Sequence, residues 1–330
     1  MKIKGSLCAM ALGLGLAPAA YAETLKVSTF LPPNHAFNRM LTQWGEELAE
    51  KSNGELTVEL FPSGQLGPAP RQFDLARTGA ADVAVVLSGA TPGRFPMAEL
   101  AGLPLTSPAA GNESAITSRR LTELAPEYLA EEHAGTHILW MAVTPPLKLH
   151  LKSADPSDLS VFKGLRIRYA GAIWQQLIEA LGASPVPVQP AETGDALAKG
   201  VVDGTAFPFE ATKSFDLAPV LGYSVEPGFA AAAFAVVMGD KAYDRLTPEL
   251  RKLVEETTGP DRAEAFGKML DEGEAEGRGY MSAGGVEIVT LTDDQLATLR
   301  AEVSPIVEAM VKGVDDAGKP GREFLSAYTQ

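Results

Sequence analysis

Arg168 and Arg166 alternate with Leu165, Ile167 and Tyr169, so a strand through them has one apolar and one basic face. A guanidinium at the C-terminal end of such a strand can hold a carboxylate through two parallel charge-assisted hydrogen bonds. Gly171 turns the chain into a helix there, and strand C-termini are where α/β folds bind ligands. A solvated or salt-bridged arginine fits the same spacing, and Arg166 is the internal comparison. Lys148 and His150 alternate in the same way with Leu147, Leu149 and Leu151.

The remaining reactive residue types form no recognisable centre. His35, His133, His137 and His150 have no metal-binding spacing, because His137 enters a strand after a turn-like Ala134-Gly135-Thr136. Neither a G-x-S-x-G elbow nor a phosphate-binding G-x-x-x-x-G-K-S/T loop occurs. Asp293-Asp294 and Asp315-Asp316 sit at helix starts or in loops, where the helix dipole and solvation account for them. Cys8 is the sole cysteine, so disulfides, thiol nucleophiles and thiolate metal sites are excluded from the rest of the chain. No enzyme chemistry, cofactor or metal is therefore expected.

The elements that must position Arg168 are legible as two α/β units. Leu25 to Phe30, Leu56 to Leu60 and Val83 to Leu87 read as strands, separated by helices over Phe37 to Leu48 and Arg71 to Thr78, a doubly wound pattern. Ile138 to Val143 is a further strand broken by Pro145-Pro146. The second unit contains strands at Leu147 to Leu151, Leu165 to Tyr169, Val186 to Val188 and Val201 to Phe207, with helices over Ile173 to Leu181 and Ala191 to Lys199. Crossings between the units are expected near Val143 to Leu147 and Phe229 to Val237. Thr247-Pro248-Glu249 opens a helix that runs, with breaks at Gly259 and Gly273, to about Met281, and Thr292 with Gln295 caps another. The expected domains are 23–145 with about 230–275, and 146–229 with about 276–330.

Residues 1–22 carry Lys2 and Lys4, an apolar run from Leu7 to Ala17, and Ala20-Tyr21-Ala22, the layout of a cleavable secretory signal. A spanning helix needs roughly 20 apolar residues, more than this run supplies. Cleavage would take the formal charge from −14 to −16. Such an acidic surface argues against nucleic acid or anionic lipid as partners and leaves an anionic ligand open, because binding depends on the local field of a pocket.

Five segments in this order resemble the DctP-type substrate-binding proteins of TRAP transporters: Ser52-Asn53-Gly54, Phe61-Pro62-Ser63-Gly64-Gln65-Leu66-Gly67, Lys163-Gly164-Leu165-Arg166-Ile167-Arg168, Leu181-Gly182-Ala183-Ser184-Pro185-Val186 and Gly200-Val201-Val202-Asp203-Gly204. The resemblance implies a two-domain periplasmic-binding-protein-like fold of type II that closes on a small organic acid. It also implies a periplasmic location and delivery to the small and large TRAP permease subunits, with the chain acting as a monomer. In that family the second arginine of the Lys-Gly-Leu-x-Ile-Arg segment clamps the ligand carboxylate, which places the role on Arg168.

The departures point to ligand type. Lys148 stands where sialic-acid-binding members carry a second arginine, and Phe207 stands where many members have asparagine. Polar pocket positions of that branch read Phe30, Ala69, Leu87 and Ala90, with Ser88 beside them. An apolar or aromatic monocarboxylate is expected, its body against Phe30 and Phe207; a sugar acid or a small keto or hydroxy acid is the alternative, and core packing is the plainer reading of both rings. Trp174 caps the pocket or belongs to its helix's core. Glu210 orients Arg168 or Lys148, bonds the ligand, or forms a hinge salt bridge.

Overall fold

The computed structural model describes residues 22–104 and 113–330; the proposed signal, with Cys8, lies outside the described residues apart from Ala22. The first half builds β1 (Glu23–Ser28), α1 (Ala36–Lys51), β2 (Leu56–Phe61), α2 (Gln72–Thr78), β3 (Val83–Leu87), α3 (Pro96–Glu99), α4 (Glu113–Tyr128) and β4 (Thr136–Val143). Next come β5 (Lys148–Leu151), β6 (Arg166–Tyr169), α5 (Ala172–Ala180), β7 (Ser184–Pro187), α6 (Thr193–Ala198), β8 (Gly204–Phe207), α7 (Phe209–Ser214) and β9 (Tyr223–Glu226). The chain ends with β10 (Ala233–Gly239), α8 (Asp240–Arg245), α9 (Pro248–Glu256), α10 (Pro260–Ala283), β11 (Glu287–Thr290), α11 (Asp293–Asp316) and α12 (Gly321–Tyr328).

These strands form two sheets, ordered β2-β1-β3-β10-β4 and β11-β9-β5-β8-β6-β7. The chain leaves the first sheet after β4 and returns to it after β9, and the two crossing segments pair through Leu147 and Ala230. β1, β2 and β3 are parallel, as the alternating pattern requires, but β10 is antiparallel to both of its neighbours. The first sheet is therefore mixed, parallel over β1 to β3 as the sequence pattern implies and antiparallel at β10. A strand that re-enters from the second lobe arrives in the opposite direction.

Local chemistry fixes most boundaries. Gly79 adopts φ 86°, the left-handed conformation that stops α2. Thr292 and Gln295 form the reciprocal capping box that starts α11. The break at Gly259 occurs, with φ 82°, but α10 runs unbroken through Gly273. A Cβ at Gly273 would lie 2.7 Å from the Glu210 side chain, and one at Gly277 only 2.0 Å from the Phe209 carbonyl oxygen. These glycines mark close approach of α7 to α10, and no helix break.

Helix α4 escapes sequence periodicity because its buried face is polar. Ser114, Thr117, Ser118 and Thr122 are buried there beside Leu121 and Ala125. Ser118 Oγ accepts from the Val143 N–H and Thr122 Oγ1 from the Met141 N–H, each at 2.9 Å. The helix thus satisfies the free edge of β4 with hydroxyls, an alternative to pairing with another strand.

Candidate functional site

Both arginines leave the same side of β6, but the strand carries them to different surroundings. Arg166, at the outer end, is half exposed and grips Asp203 through Nε at 3.0 Å and Nη2 at 2.8 Å. Arg168 lies between β7 and β8, in register with Val186 and Thr205, and is 1% exposed. Its Nε donates to the Val188 carbonyl at 3.0 Å and its Nη1 to the Ala206 carbonyl at 3.3 Å. The guanidinium carbon stands 4.2 Å from the centroid of the Phe207 ring.

No carboxylate of the described residues forms an ion pair with Arg168, and residues 1–21 and 105–112 contain no Asp or Glu. Burial alone pushes its pKa down to about 9, still charged at neutral pH. An arginine held this way retains unfilled donors and a charge removed from water, a state that costs several kcal/mol until an anion arrives.

Arg168 borders a narrow cavity between the two sheets that leaves about 50 Å³ to the centres of water-sized spheres. Its walls include Phe30, Leu87, Phe207, Phe215 and Phe234. Phe30 stacks on Phe234 with ring centroids 6.4 Å apart, and Phe207 on Phe215 at 5.5 Å. Phe234 is itself fixed by Phe37 at 4.8 Å. The crossing segments contribute Thr144, Leu147 and Ala232; Thr144 Oγ1 accepts from the Ala232 N–H at 3.0 Å.

Glu210 also borders the cavity, but it contacts neither Arg168 nor Lys148. Its Oε1 accepts from the Ala36 N–H at 3.2 Å and from Ser214 Oγ at 3.2 Å, and Oε2 lies 3.3 Å from His35 Nε2. His35 Nδ1 accepts from the Phe37 N–H, so the neutral ring presents its proton on Nε2 to the carboxylate. Burial holds the His35 pKa below its ordinary value, consistent with that neutral form. Glu210, following a strand of the second sheet, thereby sits at the positive N-terminus of α1 beside the first.

A matching contact runs the other way. Glu99, at the end of α3, accepts from the Ala172 N–H that starts α5, at 3.3 Å. Close by, a Cβ at Gly89 would come within 2.6 Å of Gly171 Cα, so the loops after β3 and β6 touch backbone to backbone.

Residues 27–313 match the family of bacterial extracellular solute-binding proteins, family 7, or DctP. The chain belongs to this family. Its DctP relatives include the C4-dicarboxylate-binding periplasmic protein DctP of Rhodobacter capsulatus, 26% identical over 95% of both chains. A TRAP solute-binding protein from Rhodoferax ferrireducens T118, in complex with copurified benzoate, superimposes with TM-score 0.88 at 27% identity, covering 93% of this chain and 97% of that one. A TRAP periplasmic solute-binding protein from Bordetella bronchiseptica, with bound (R)- and (S)-mandelate, gives 0.85 at 28% identity over 93% and 98%. The protein is thus a TRAP-type solute-binding protein with the two-lobed α/β fold of that group.

Within this DctP fold the cavity gathers Arg168, Phe30, Phe207, Leu87 and Glu210 from the residues singled out in the sequence. Lys148 is not on its wall. It forms an ion pair with Glu274 and lies 5.2 Å from the centroid of the Phe209 ring, so α10 takes up its charge. Trp174 is 2% exposed and packs in the core against Phe229, with no place on the main cavity's wall. Ser88, Ala69 and Ala90 also fall outside that wall.

The basic face expected on β5 is likewise buried. His150 has no exposure and bonds Ser224 Oγ at 2.7 Å and the Phe207 carbonyl at 3.0 Å. Burial, opposed by the Phe207 hydrogen bond and aided by nearby Lys148, pushes its pKa down to about 3. A neutral His150 therefore fixes the strand end that carries Phe207. His133 and His137 do not converge: the first bonds the Leu129 carbonyl at 2.9 Å, and the second lies 3.4 Å from Asp240. Sequence reasoning missed His35, Phe215 and Phe234, none of which sits in a motif.

Proposed function

We propose that this chain captures a compact aromatic monocarboxylate outside the cytoplasmic membrane and presents it to the membrane subunits of a TRAP transporter. The observation that carries the reading is a fully buried guanidinium with no ionic partner, opening on a cavity walled by aromatic rings. In this reading the ligand carboxylate takes the free donors of Arg168, and the ring lies against Phe30 and Phe207. The benzoate and mandelate held by the two related structures support the same ligand class. A signal at residues 1–22 and a monomeric mature chain complete the proposal.

The cavity's polar side chains argue against a sugar acid. His35, Glu210 and Thr144 already bond protein groups, leaving little to satisfy several ring hydroxyls, and unpaired buried hydroxyls are costly. A dicarboxylate would need a second cation, yet Lys148 is held by Glu274.

Capture then proceeds with the lobes apart, when Arg168 is hydrated and can meet the anion. Closure excludes water, which strengthens the guanidinium–carboxylate attraction, and contacts of both lobes with the ligand offset the cost of joining them. Glu210 on the α1 N-terminus and Glu99 on the α5 N-terminus are bonds between the two sides that separation would break.

Thermal unfolding of mature protein, refolded to remove any carried ligand, tests this against benzoate, mandelate, galacturonate and succinate. A ligand confined to the folded form stabilises by about 2.7 kcal/mol at a hundredfold excess over its dissociation constant. The midpoint is expected to rise with benzoate and mandelate and to stay unchanged with the other two. A rise restricted to galacturonate or succinate would overturn the aromatic reading.

A further inference from the structure

Leu87, Ala170 and Ala232 are shared between the cavity at Arg168 and a smaller space of about 20 Å³ beside it. A single water needs roughly 10–15 Å³ by the same measure, so this space holds one small group and no ring. Gly89 and Gly171 border it, and their close approach leaves no room there for side chains.

Two further residues on its border carry buried polar groups. Trp174 is 2% exposed, and its indole Nε1 is buried with no hydrogen-bond partner. Indole N–H groups normally find a partner when buried, so this one has an unmet need. Glu99 supplies a carboxylate at 8% exposure, of which Oε2 accepts from the Ala172 N–H. Burial raises its carboxyl above the ordinary range, in keeping with a group shielded from water.

We propose that this space is a subsite for one hydroxyl carried on the body of the ligand, accepting from Trp174 Nε1 and donating to the Glu99 carboxylate. The proposal rests on the reading of the adjoining cavity as the site of an aromatic monocarboxylate. It makes Trp174 a specificity residue, selecting hydroxylated acids over plain or methylated ones. A site built to bond a substrate hydroxyl discriminates strongly against an analogue lacking it, because its polar groups are then left unpaired.

Calorimetric titration of the refolded protein with benzoate, 3- and 4-hydroxybenzoate and 3- and 4-methylbenzoate provides the test without altering the protein. At least one hydroxy acid is expected to bind tenfold or more tightly than benzoate and than its methyl counterpart. In Trp174→Phe, which keeps a ring but loses the N–H, that acid should fall to the affinity of benzoate, with benzoate itself unchanged within twofold. Equal affinity of hydroxy acids and benzoate, an equal gain from methyl groups, or a Trp174→Phe loss shared by all five acids would each overturn the subsite. Failure of benzoate and all its derivatives to bind would overturn the aromatic-acid reading as well, whereas benzoate binding without hydroxyl preference removes the subsite alone.

Discussion

Arg168→Met is expected to weaken benzoate binding a hundredfold or more while leaving the empty protein folded and near its original stability. Removing one partner of a buried charge pair typically costs about 2–5 kcal/mol of binding, and here the partner arrives with the ligand. In the empty protein the balance differs. Even with the lobes apart and water at the guanidinium, methionine removes a partly desolvated charge, which stabilises, and strands the Val188 and Ala206 carbonyls that Arg168 now bonds, which destabilises. The two effects oppose each other, so the melting midpoint without ligand should change little. Arg166→Met is the control: its pair with Asp203 is exposed, worth about 1 kcal/mol at most, and benzoate affinity should stay within twofold. Calorimetric titration and thermal unfolding of both variants check the contrast. Equal loss of affinity in both would show that the basic strand acts through its fold alone.

The second large effect is expected far from any ligand atom, at Gly277. Helix α10 packs against α4 and β4 on one side and against α7 and β11 on the other, and α7 lies so close that backbone meets backbone. A methyl group at Gly277 would stand 2.0 Å from the Phe209 carbonyl oxygen and 2.8 Å from the Glu210 amide nitrogen. Neither atom belongs to a flexible side chain, so α7 must move. It carries Glu210 directly and Phe207 through Pro208, so the shift reaches both the Arg168 stack and the contact with the α1 N-terminus. Gly277→Ala should therefore destabilise by about 1–3 kcal/mol, the range for overpacking, and reduce benzoate affinity at least tenfold. On the same helix a methyl group at Gly279 would meet nothing within 4 Å, and Gly279→Ala should stabilise by up to about 1 kcal/mol through helix propensity. Denaturant unfolding and ligand titration of the two variants decide the matter. Unchanged binding in Gly277→Ala would mean that α7 does not transmit position to the site.

Much of this architecture is legible in the chain because local rules and burial agree. The parallel strands β1 to β3, the α2 stop at Gly79 and the α11 capping box all follow from patterns of a few neighbouring residues. Arg168 is legible as a candidate for the same reason, since alternation on β6 places it on a defined face. What alternation cannot supply is the difference between Arg166 and Arg168, which depends on Asp203 at one end of β8 and Phe207 at the other.

Residues brought in by topology were the ones missed or misplaced. Phe234 enters the cavity only because β10 returns antiparallel from the second lobe, and His35 only because Glu210 meets the start of α1. Lys148 looks like a second cation from its spacing, but Glu274 on α10, more than a hundred positions away in sequence, takes its charge. Gly273 reads as a helix break because glycine lowers helix propensity, whereas here it admits the Glu210 side chain. Helix α4 is hidden because hydroxyls, and no apolar stripe, face its strand.

The most direct test of the central claim is a crystal structure of the refolded protein with benzoate. The carboxylate is expected within hydrogen-bond distance, about 2.7–2.9 Å, of the Arg168 guanidinium nitrogens, with the ring against Phe30 and Phe207. Benzoate bound elsewhere, or bound with its carboxylate turned away from Arg168, would contradict the account.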